Sequence, residues 1–322
     1  MDRLKAYFHA QLPLINSSLE AGIQGLHPLV LPVAEHVLEA GGKRLRPLLC
    51  RLVSTALGHD PESGTPLGCA LEYLHSATLL HDDILDGAEL RRGRQAAHKV
   101  FGFRKTILAG DALLALANRL IADYGIPRLM SCASTAIVET ASGEILEIAR
   151  AGQPSLTREE YLEIIRGKTA FLIQASCQCG AILAGAGHDV EEGAKAYGLN
   201  LGIAFQLVDD ALDYSVPPES TGKPSGGDLR EGKITLPLIL LLETLDPARR
   251  QEILAKVTSR SLAPEEAKWL IREIKRLDLP EQTRTEASKY LELAREGLTL
   301  FPASVHKDLL QDILHYVQTR TN

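Results

Sequence analysis

Apolar residues recur along this chain at spacings of three, four and seven positions, which is the pattern of one buried face of an α-helix. The clearest series is Leu67, Leu71, Leu74, Thr78 and Leu85. Similar series run through residues 107–117 and 137–148, and no run of alternating β-branched residues indicates a strand. Thr157 and Glu160 have the spacing of a capping box, which marks a helix start. The pattern predicts an all-α fold in which residues 1–322 form one domain.

Composition and charge narrow the classes of protein that this pattern fits. Hydrophobic residues make up 45% of the chain and charged residues 24%, as in ordinary globular proteins, and the net charge of −6 argues against a nucleic-acid partner. The five cysteines lack the spacing of a zinc or redox motif. The first residues lack the order of a signal peptide, and no stretch reaches the roughly 18 apolar residues of a membrane span. We therefore expect a cytoplasmic protein that does not cross a membrane.

The first candidate site is Asp82-Asp83-Ile84-Leu85-Asp86, which follows an apolar helical segment. Positions 82 and 86 are four apart, so on a helix their carboxylates share one face, about 6 Å apart along the axis. Like charges at this spacing repel, and Mg²⁺ would offset the repulsion because it binds carboxylate oxygens. Taken alone, the cluster fits a solvated acidic helix end at least as well.

A second cluster, Asp209-Asp210-Ala211-Leu212-Asp213, repeats the pattern after another apolar segment. Chance recurrence of this kind is improbable in helices of such hydrophobicity. If both helices line one cavity, their carboxylates can hold several metal ions against one diphosphate, where the cations neutralise and orient a leaving group. The two clusters together predict a Mg²⁺-dependent enzyme that acts on diphosphates.

Basic residues gather at two places around the first cluster. Lys43, Arg44 and Arg46 stand at a predicted helix start, and Arg91 and Arg92 follow the aspartates. Helix N-termini and groups of arginine and lysine bind anions. Each group alone also fits a solvated surface patch. With the carboxylates, they predict two phosphate sites, one bridged by metal and one bound directly.

A long loop is predicted directly after the second cluster. Residues 215–232 contain four glycines and three prolines. They also carry Lys223 and Asp228, and Lys233 follows them. A flexible, charged segment of this length in a compact domain is usually functional.

Together these motifs resemble the trans-polyprenyl diphosphate synthases, and the likeness begins near residue 35. The matching motifs stand in the family's order: Gly-Gly-Lys-Arg-Leu-Arg-Pro at 41–47, the first cluster with Arg-Arg-Gly at 91–93, Gly-Lys-Thr at 167–169, the second cluster, and the segment 222–233. The resemblance implies the isoprenoid-synthase fold, a single helical bundle around a deep central cavity, and a homodimer. It also implies a reaction that joins isopentenyl diphosphate to an allylic diphosphate, such as farnesyl diphosphate, with two to three Mg²⁺ ions.

The resemblance also assigns roles to individual residues. The metal ligands would be Asp82, Asp86, Asp209 and Asp213, and the catalytic set would add Asp83, Asp210, Lys168 and Lys233. The substrate-binding residues would be Lys43, Arg46, His75, Arg91, Arg92, Thr169, Gln206 and Lys223. Of these, Lys43, Arg46, His75 and Arg92 would hold isopentenyl diphosphate. A core histidine with satisfied hydrogen bonds is the alternative for His75.

Residues before the first cluster bear on product length. Ala77 and Thr78, five and four positions before Asp82, are small, and Leu74 lies one turn further back. A large aromatic residue there would close the tunnel for the growing chain, since one helical turn of about 5.4 Å is roughly one isoprene unit. The small residues favour a medium- or long-chain product that partitions into the membrane, most like the octaprenyl diphosphate used for quinone side chains.

Two alternatives stay open, and two others are disfavoured. A short-chain geranylgeranyl or farnesyl synthase and the catalytic subunit of a heteromeric heptaprenyl synthase both fit the motifs. A terpene cyclase normally mixes asparagine, serine and glutamate in its second metal site, unlike the second cluster here. A non-catalytic subunit would lack the charged residues that this chain retains.

Overall fold

The computed structural model describes residues 2–150, 156–215 and 226–320. These residues are mostly helical, and the all-α prediction is confirmed. The helices are α1 (Asp2–Ile23), α2 (Leu31–Glu39), α3 (Leu45–Ala56), α4 (Pro61–Leu85), α5 (Ala97–Phe101), α6 (Phe103–Ala122), α7 (Pro127–Arg150), α8 (Arg158–Ile165), α9 (Phe171–Leu183), α10 (His188–Ser215), α11 (Gly227–Glu231), α12 (Leu236–Glu243), α13 (Pro247–Thr258), α14 (Pro264–Arg276), α15 (Leu279–Gly297) and α16 (Val305–Thr319). A π-helical turn, Arg166–Ala170, joins α8 to α9.

One small hairpin interrupts the helices. Strand β1 (Leu90–Arg91) pairs antiparallel with β2 (Arg94–Gln95). Arg92 and Gly93 form the turn, with φ values of 52° and 80°. Two successive positive φ values are what a two-residue type I′ turn requires. The sequence did not predict this hairpin, because strands of two residues leave no alternating pattern.

The chain divides into two compact units. The first contains Met1–Ile137, Leu172–Lys195 and Leu298–Asp312. The second contains Val138–Phe171, Ala196–Gly297 and Ile313–Asn322. The first aspartate cluster belongs to the first unit and the second cluster to the second unit. The single-domain organisation stays a prediction.

In the first unit, α4 packs against α3 and α6. A Cβ atom on Gly68 of α4 would lie 2.5 Å from the Cα of Pro47 on α3. A Cβ atom on Gly110 of α6 would lie 2.3 Å from Nε2 of His81 on α4. Both contacts are too close for any side chain larger than hydrogen. The glycines therefore let α3 and α6 lie tightly against the helix that carries the first aspartate cluster.

In the second unit, glycines position the π-helical turn in the same way. A Cβ atom on Gly167 would lie 2.5 Å from the Cα of Gly143 on α7. A Cβ atom on Gly202 of α10 would lie 2.6 Å from the Cα of Ala170. The turn that carries the Gly-Lys-Thr motif is thus held against both α7 and α10.

Two sequence predictions about helix ends have different outcomes. The capping box is confirmed, since Oγ1 of Thr157 accepts from the Glu160 amide at 3.2 Å and Oε2 of Glu160 accepts from the Thr157 amide at 3.0 Å. The loop prediction for 215–232 was wrong at its end, where Gly227–Glu231 form α11. Lys223 lies outside the described residues.

Two apolar series face the core only in part: Ala117 is fully buried, but other members are exposed. Leu108 on α6 is 64% exposed, and Ile145 and Ile148 on α7 are 66% and 52% exposed. Helical periodicity identifies an apolar face but does not say what covers it. Among the helices that the structure describes, none combines the length and the hydropathy needed to cross a membrane.

Candidate active site

Both aspartate clusters lie at the carboxyl ends of long helices. Asp82 and Asp83 are in the last turn of α4, Asp86 is its C-cap, and the second cluster occupies the last two turns of α10. The carboxyl end of a helix carries a partial negative charge, which destabilises aspartates there. Within the described bounds of α4 and α10, neither last turn contains a basic residue. Each helix end therefore concentrates negative charge that a cation would stabilise.

The middle aspartate of each cluster is buried and held by neighbouring side chains. Nε of Arg91 donates to Oδ1 of Asp83 at 2.8 Å, and its Nη2 donates to the same oxygen. Oη of Tyr161 donates to Oδ2 of Asp210 at 2.5 Å, and Nε2 of Gln206 donates to Oδ1 at 2.8 Å. The middle carboxylates thus fix the helix ends, and the outer, half-exposed aspartates remain the candidate metal ligands.

Burial, and after it neighbouring negative charge, raises the proton affinity of carboxylates in and around the second cluster. Burial raises the pKa of Asp210 to about 7, against the hydrogen bonds from Tyr161 and Gln206, which lower it. Burial and then the charge of Asp210 raise the pKa of Asp228 to about 8. A bound cation would favour the ionised forms and so lower both pKa values.

The outer aspartates of the second cluster have protein partners of different kinds. Oδ1 of Asp213 accepts from the Gly227 amide at 2.9 Å, and its Oδ2 accepts from the Asp228 amide at 3.1 Å. Asp213 thereby satisfies donors at the first turn of α11. Asp209 instead forms an ion pair with Arg320.

The donor groups fit Mg²⁺ that is bound together with a substrate. Among the described residues, no three histidine, cysteine or acidic side chains converge on a common point. Mg²⁺ does not need such a cage, because one or two carboxylates, water and substrate phosphates complete its shell. The outer aspartates supply that number within each unit, two in the first unit (Asp82 and Asp86) and one in the second (Asp209).

The π-helical turn extends the network around Asp210. Oγ1 of Thr169 donates to Oε1 of Gln206 at 3.0 Å, which links the turn through Gln206 to Asp210. Nζ of Lys168 binds Glu144 at 2.8 Å and also pairs with Glu147, both on α7. Burial lowers the pKa of Lys168, but the two glutamates outweigh burial and leave the pKa raised. Lys168 is therefore a charged side chain that would have to exchange partners to reach a phosphate.

In the first unit, Arg46 is a buried cation with an incomplete set of partners. Burial lowers the pKa of Arg46, and the carboxylate of Glu72 acts against that effect. Nε of Arg46 and Oε2 of Glu72 have no hydrogen-bond partner among the described residues. Buried polar groups left unpaired are costly, so an anion that accepts from Arg46 would stabilise this group of side chains.

His75 and Arg92 complete the cationic surroundings of Arg46. Burial, then Arg46 and Arg92, lower the pKa of His75 well below its usual range, so His75 is neutral at pH 7. A Cβ atom on Gly42 would lie 2.6 Å from Nη1 of Arg92, and Gly42 itself has φ +143°. Glycine at that position therefore leaves room for Arg92, and Lys43 beside it is exposed.

The side chain of Arg44, in the same motif, is bound by other groups of the protein. Its Nη2 donates to the carbonyl of Leu38 at 2.5 Å, and its Nη1 pairs with Glu72 at 3.3 Å. The residue adopts φ 47°, in the left-handed region that side chains rarely enter. Arg44 thus joins α2 to α4.

The three residues predicted to line a tunnel lie on α4 with different exposure. Leu74 and Ala77 are fully buried, and Thr78 is half-buried. Oγ1 of Thr78 donates to the carbonyl of His75 at 2.8 Å, within the same helix. Their role in setting product length stays a prediction.

Lys233 lies close enough to Asp210 and Asp228 to lower the pKa of both.

Sequence reasoning missed several residues that contact the predicted ones. Tyr161, Arg320 and the pair Glu144 and Glu147 come from distant segments, so no local spacing links them to the motifs they touch. Glu72 could have been found, because a glutamate on the apolar face of α4 needs a cation. That cation is supplied by the basic motif at 43–46.

The all-α architecture is that of the isoprenoid synthases, as its solved structural neighbours show. A polyprenyl synthase from Caulobacter crescentus, solved with calcium and isoprenyl diphosphate, is 35% identical and has a TM-score of 0.91, over 100% of this chain and 98% of that one. The model of the polyprenyl synthetase family matches residues 27–274. The chain belongs to this family, and the predictions of the family and of a prenyltransferase are confirmed.

Two curated relatives show that members of the family differ in the length of their product. Octaprenyl diphosphate synthase of Escherichia coli is 38% identical over 202 residues, which are 63% of this chain and 62% of that enzyme's length. Heptaprenyl diphosphate synthase component 2 of Geobacillus stearothermophilus is 36% identical over 324 residues, 99% of both chains. Relatives of different product length thus resemble this chain to a similar degree.

The hydrogen bond from Tyr161 to Asp210 leads to a stability prediction. Tyr161→Phe leaves a buried carboxylate with one donor fewer, so we expect the free energy of unfolding to fall by about 1–3 kcal/mol. Urea denaturation of the metal-free protein at pH 8, where Asp210 is largely ionised, measures this change. Tyr316→Phe, at a half-buried position of α16, is the control. Equal losses in both variants would contradict the proposed contribution of the bond.

Proposed function

We propose that this protein condenses isopentenyl diphosphate with an allylic diphosphate, for which farnesyl diphosphate is the favoured primer, in a Mg²⁺-dependent reaction. The product is a medium- or long-chain all-trans polyprenyl diphosphate, with octaprenyl favoured. The observation that carries the proposal is the pair of aspartate clusters at the ends of α4 and α10, together with a chemically distinct group of buried cations around Arg46 in the first unit. Carboxylates suit a metal-bridged diphosphate, and unpaired guanidinium donors suit a diphosphate bound directly.

On this proposal, the two diphosphates are held by different residues. Asp82, Asp86 and Asp209 would hold two to three Mg²⁺ ions, which neutralise the leaving diphosphate when bound. Asp213 joins them only if it releases the amides of α11. Arg91, Lys168 and Lys233, with Lys223, would neutralise the same diphosphate. Lys43, Arg46, His75 and Arg92 would hold isopentenyl diphosphate, with His75 as a neutral hydrogen-bonding group.

The proposed reaction needs positioning and charge stabilisation more than proton transfer by the protein. The allylic carbon–oxygen bond breaks, and pyrophosphate leaves with the electron pair. The isopentenyl double bond then attacks the allylic cation and forms the new carbon–carbon bond. A proton is finally lost, and the released pyrophosphate accepts it. Thr169 and Gln206 would lie near the reacting carbons, where their mutual hydrogen bond fixes their orientation.

Product length is proposed from the small residues on α4. Ala77 and Thr78 leave the tunnel open where a bulky side chain would end it, and Leu74 lies one turn beyond. The octaprenyl and heptaprenyl names of the relatives agree with a product of this class. A short-chain synthase and a catalytic subunit that needs an unlike partner are the alternatives.

A product assay on the purified chain tests the reaction and the length together. With farnesyl diphosphate, isopentenyl diphosphate and Mg²⁺, we expect a linear product near eight isoprene units. Ala77→Phe should shorten it by at least one unit, because the ring blocks the tunnel about one turn from Asp82. Ala248→Phe, at an exposed position of α13, should leave the length unchanged.

Each contrary outcome of that assay has a distinct meaning. No product from the chain alone would support the heteromeric alternative. A geranylgeranyl product would support the short-chain alternative. A cyclic hydrocarbon would overturn the proposed reaction, and an unchanged length in Ala77→Phe would place the tunnel elsewhere.

We also propose that two copies of this chain form a homodimer through α7. The exposed positions of α7 from Ser131 to Ala149 are apolar residues, serine and threonine, with no charged residue among them. Val138 and Ile145 are 62% and 66% exposed on this face. A long, uncharged, partly apolar stripe is typical of a surface that another protein covers, and a twofold axis lets one stripe pair with itself.

Light scattering after size-exclusion chromatography tests this interface. We expect a dimer for the unchanged chain and a monomer for Ile145→Arg, because the variant places a charge in the apolar contact. Leu300→Arg, at a position that is 59% exposed outside α7, should remain dimeric. A monomeric unchanged chain, or a dimer that survives Ile145→Arg, would contradict the proposal.

A further inference from the structure

Arg320, which directly follows α16, is placed on the second aspartate cluster. Its Nη1 forms an ion pair with Oδ1 of Asp209, and its side chain is only 11% exposed. The guanidinium carbon lies 5.1 Å from the centroid of the Phe205 ring, one turn before Asp209 on α10. The guanidinium thus packs against an aromatic face and a carboxylate at once.

A second arginine holds the backbone of this segment. Nη2 of Arg284 on α15 donates to the carbonyl of Arg320 at 2.7 Å, and its Nη1 donates to the carbonyl of Gln318 at 3.4 Å. Carbonyl groups at the end of a helix lack intrahelical partners, so Arg284 satisfies two of them. The backbone from which the Arg320 side chain extends is therefore held in place.

The three carboxylates of the cluster differ in how easily their partners can leave. Asp210 is buried between Tyr161 and Gln206, and Asp213 accepts two backbone amides at the start of α11. Releasing either one would disturb a buried network or a helix start. Asp209 is paired with the end of a long side chain, which can rotate away without moving the backbone.

We propose that Arg320 is an intramolecular counter-ion that occupies Asp209 in the metal-free protein and is displaced when a divalent cation binds there. The inference rests on the proposed function, because it takes Asp209 as a metal ligand. Arg320 would supply positive charge to a helix end that carries three aspartates until the cation replaces it. The metal must compete with the guanidinium, so the cluster binds it more weakly than bare carboxylates would.

Direct metal binding tests this competition. We would titrate metal-free protein with Mn²⁺ in the presence of inorganic pyrophosphate and measure free Mn²⁺ by electron paramagnetic resonance. Arg320→Gln should bind Mn²⁺ roughly 3- to 10-fold more tightly, the range expected for removing a partly buried competing ion pair. Phe205→Leu should shift the affinity in the same direction by a smaller factor, because it loosens the guanidinium and keeps every charge.

Two further variants distinguish the displacement of Arg320 from a general loss of positive charge near the cluster. Arg230 lowers the pKa of Asp213 through its charge, so Arg230→Gln removes an equal charge near the same cluster. A gain in Arg320→Gln no larger than that in Arg230→Gln would overturn the inference. In Asp209→Asn the additional Arg320→Gln change should give no gain, because the contested ligand is absent.

The remaining outcomes distinguish the inference from the proposed function. If the unchanged protein binds no Mn²⁺ with pyrophosphate present, the proposed metal site itself fails. If it binds Mn²⁺ and Arg320→Gln binds equally or more weakly, the metal site stands and the displacement of Arg320 is wrong. Circular dichroism and thermal unfolding of each variant confirm that the comparison is between folded proteins.

Discussion

Repulsion among aspartates at the carboxyl end of a helix is the constraint on which the rest of this structure depends. Such residues oppose both one another and the partial negative charge of the helix end. The protein meets the constraint with fixed contacts to the middle aspartates: Arg91 holds Asp83, and Tyr161 and Gln206 hold Asp210. The outer aspartates are left with the remaining negative charge, and this charge is what makes a divalent cation the expected partner.

The group of buried cations around Arg46 presents the opposite problem. Burial destabilises its charges, and Glu72 offsets them only in part, since both side chains retain an unpaired polar atom among the described residues. The two sites are therefore complementary in chemistry. One has carboxylates that would need a cation before they could hold a diphosphate, whereas the other has guanidinium groups that could bind a diphosphate directly. In a reaction between two different diphosphates, this difference between the sites would keep the two substrates in separate positions.

Much of the architecture could be predicted from the sequence, because helices are encoded by local patterns. The series around Leu71 and the capping box at Thr157 each depend on residues a few positions apart, and the structure contains both. The same locality explains the errors. Ile145 belongs to an apolar helical face, yet nothing local shows that this face lies outside the chain's own core. The start of α11 escaped prediction because its amides bind Asp213, a residue from the preceding helix.

The residues of the candidate site also divide into those that the sequence predicted and those that it missed. Aspartates, lysines and arginines were found because they occur in dense motifs, and the metal and substrate roles given to them stay predictions. Tyr161 and Arg320 were missed because each reaches its aspartate from a segment far along the chain. Contacts of that kind are set by tertiary packing, so only the three-dimensional structure reveals them. They also decide which carboxylate of a cluster is available, a question that the motif alone leaves open.

Anomalous diffraction from crystals grown with Mn²⁺ and pyrophosphate tests the central claim most directly. Data collected at the manganese absorption edge locate each ion without reference to a motif. The account predicts anomalous peaks within coordination distance of Asp82 and Asp86 and of Asp209, with pyrophosphate oxygens completing the shells. Well-ordered pyrophosphate with no anomalous peak at either aspartate cluster would contradict the claim that these clusters are metal sites.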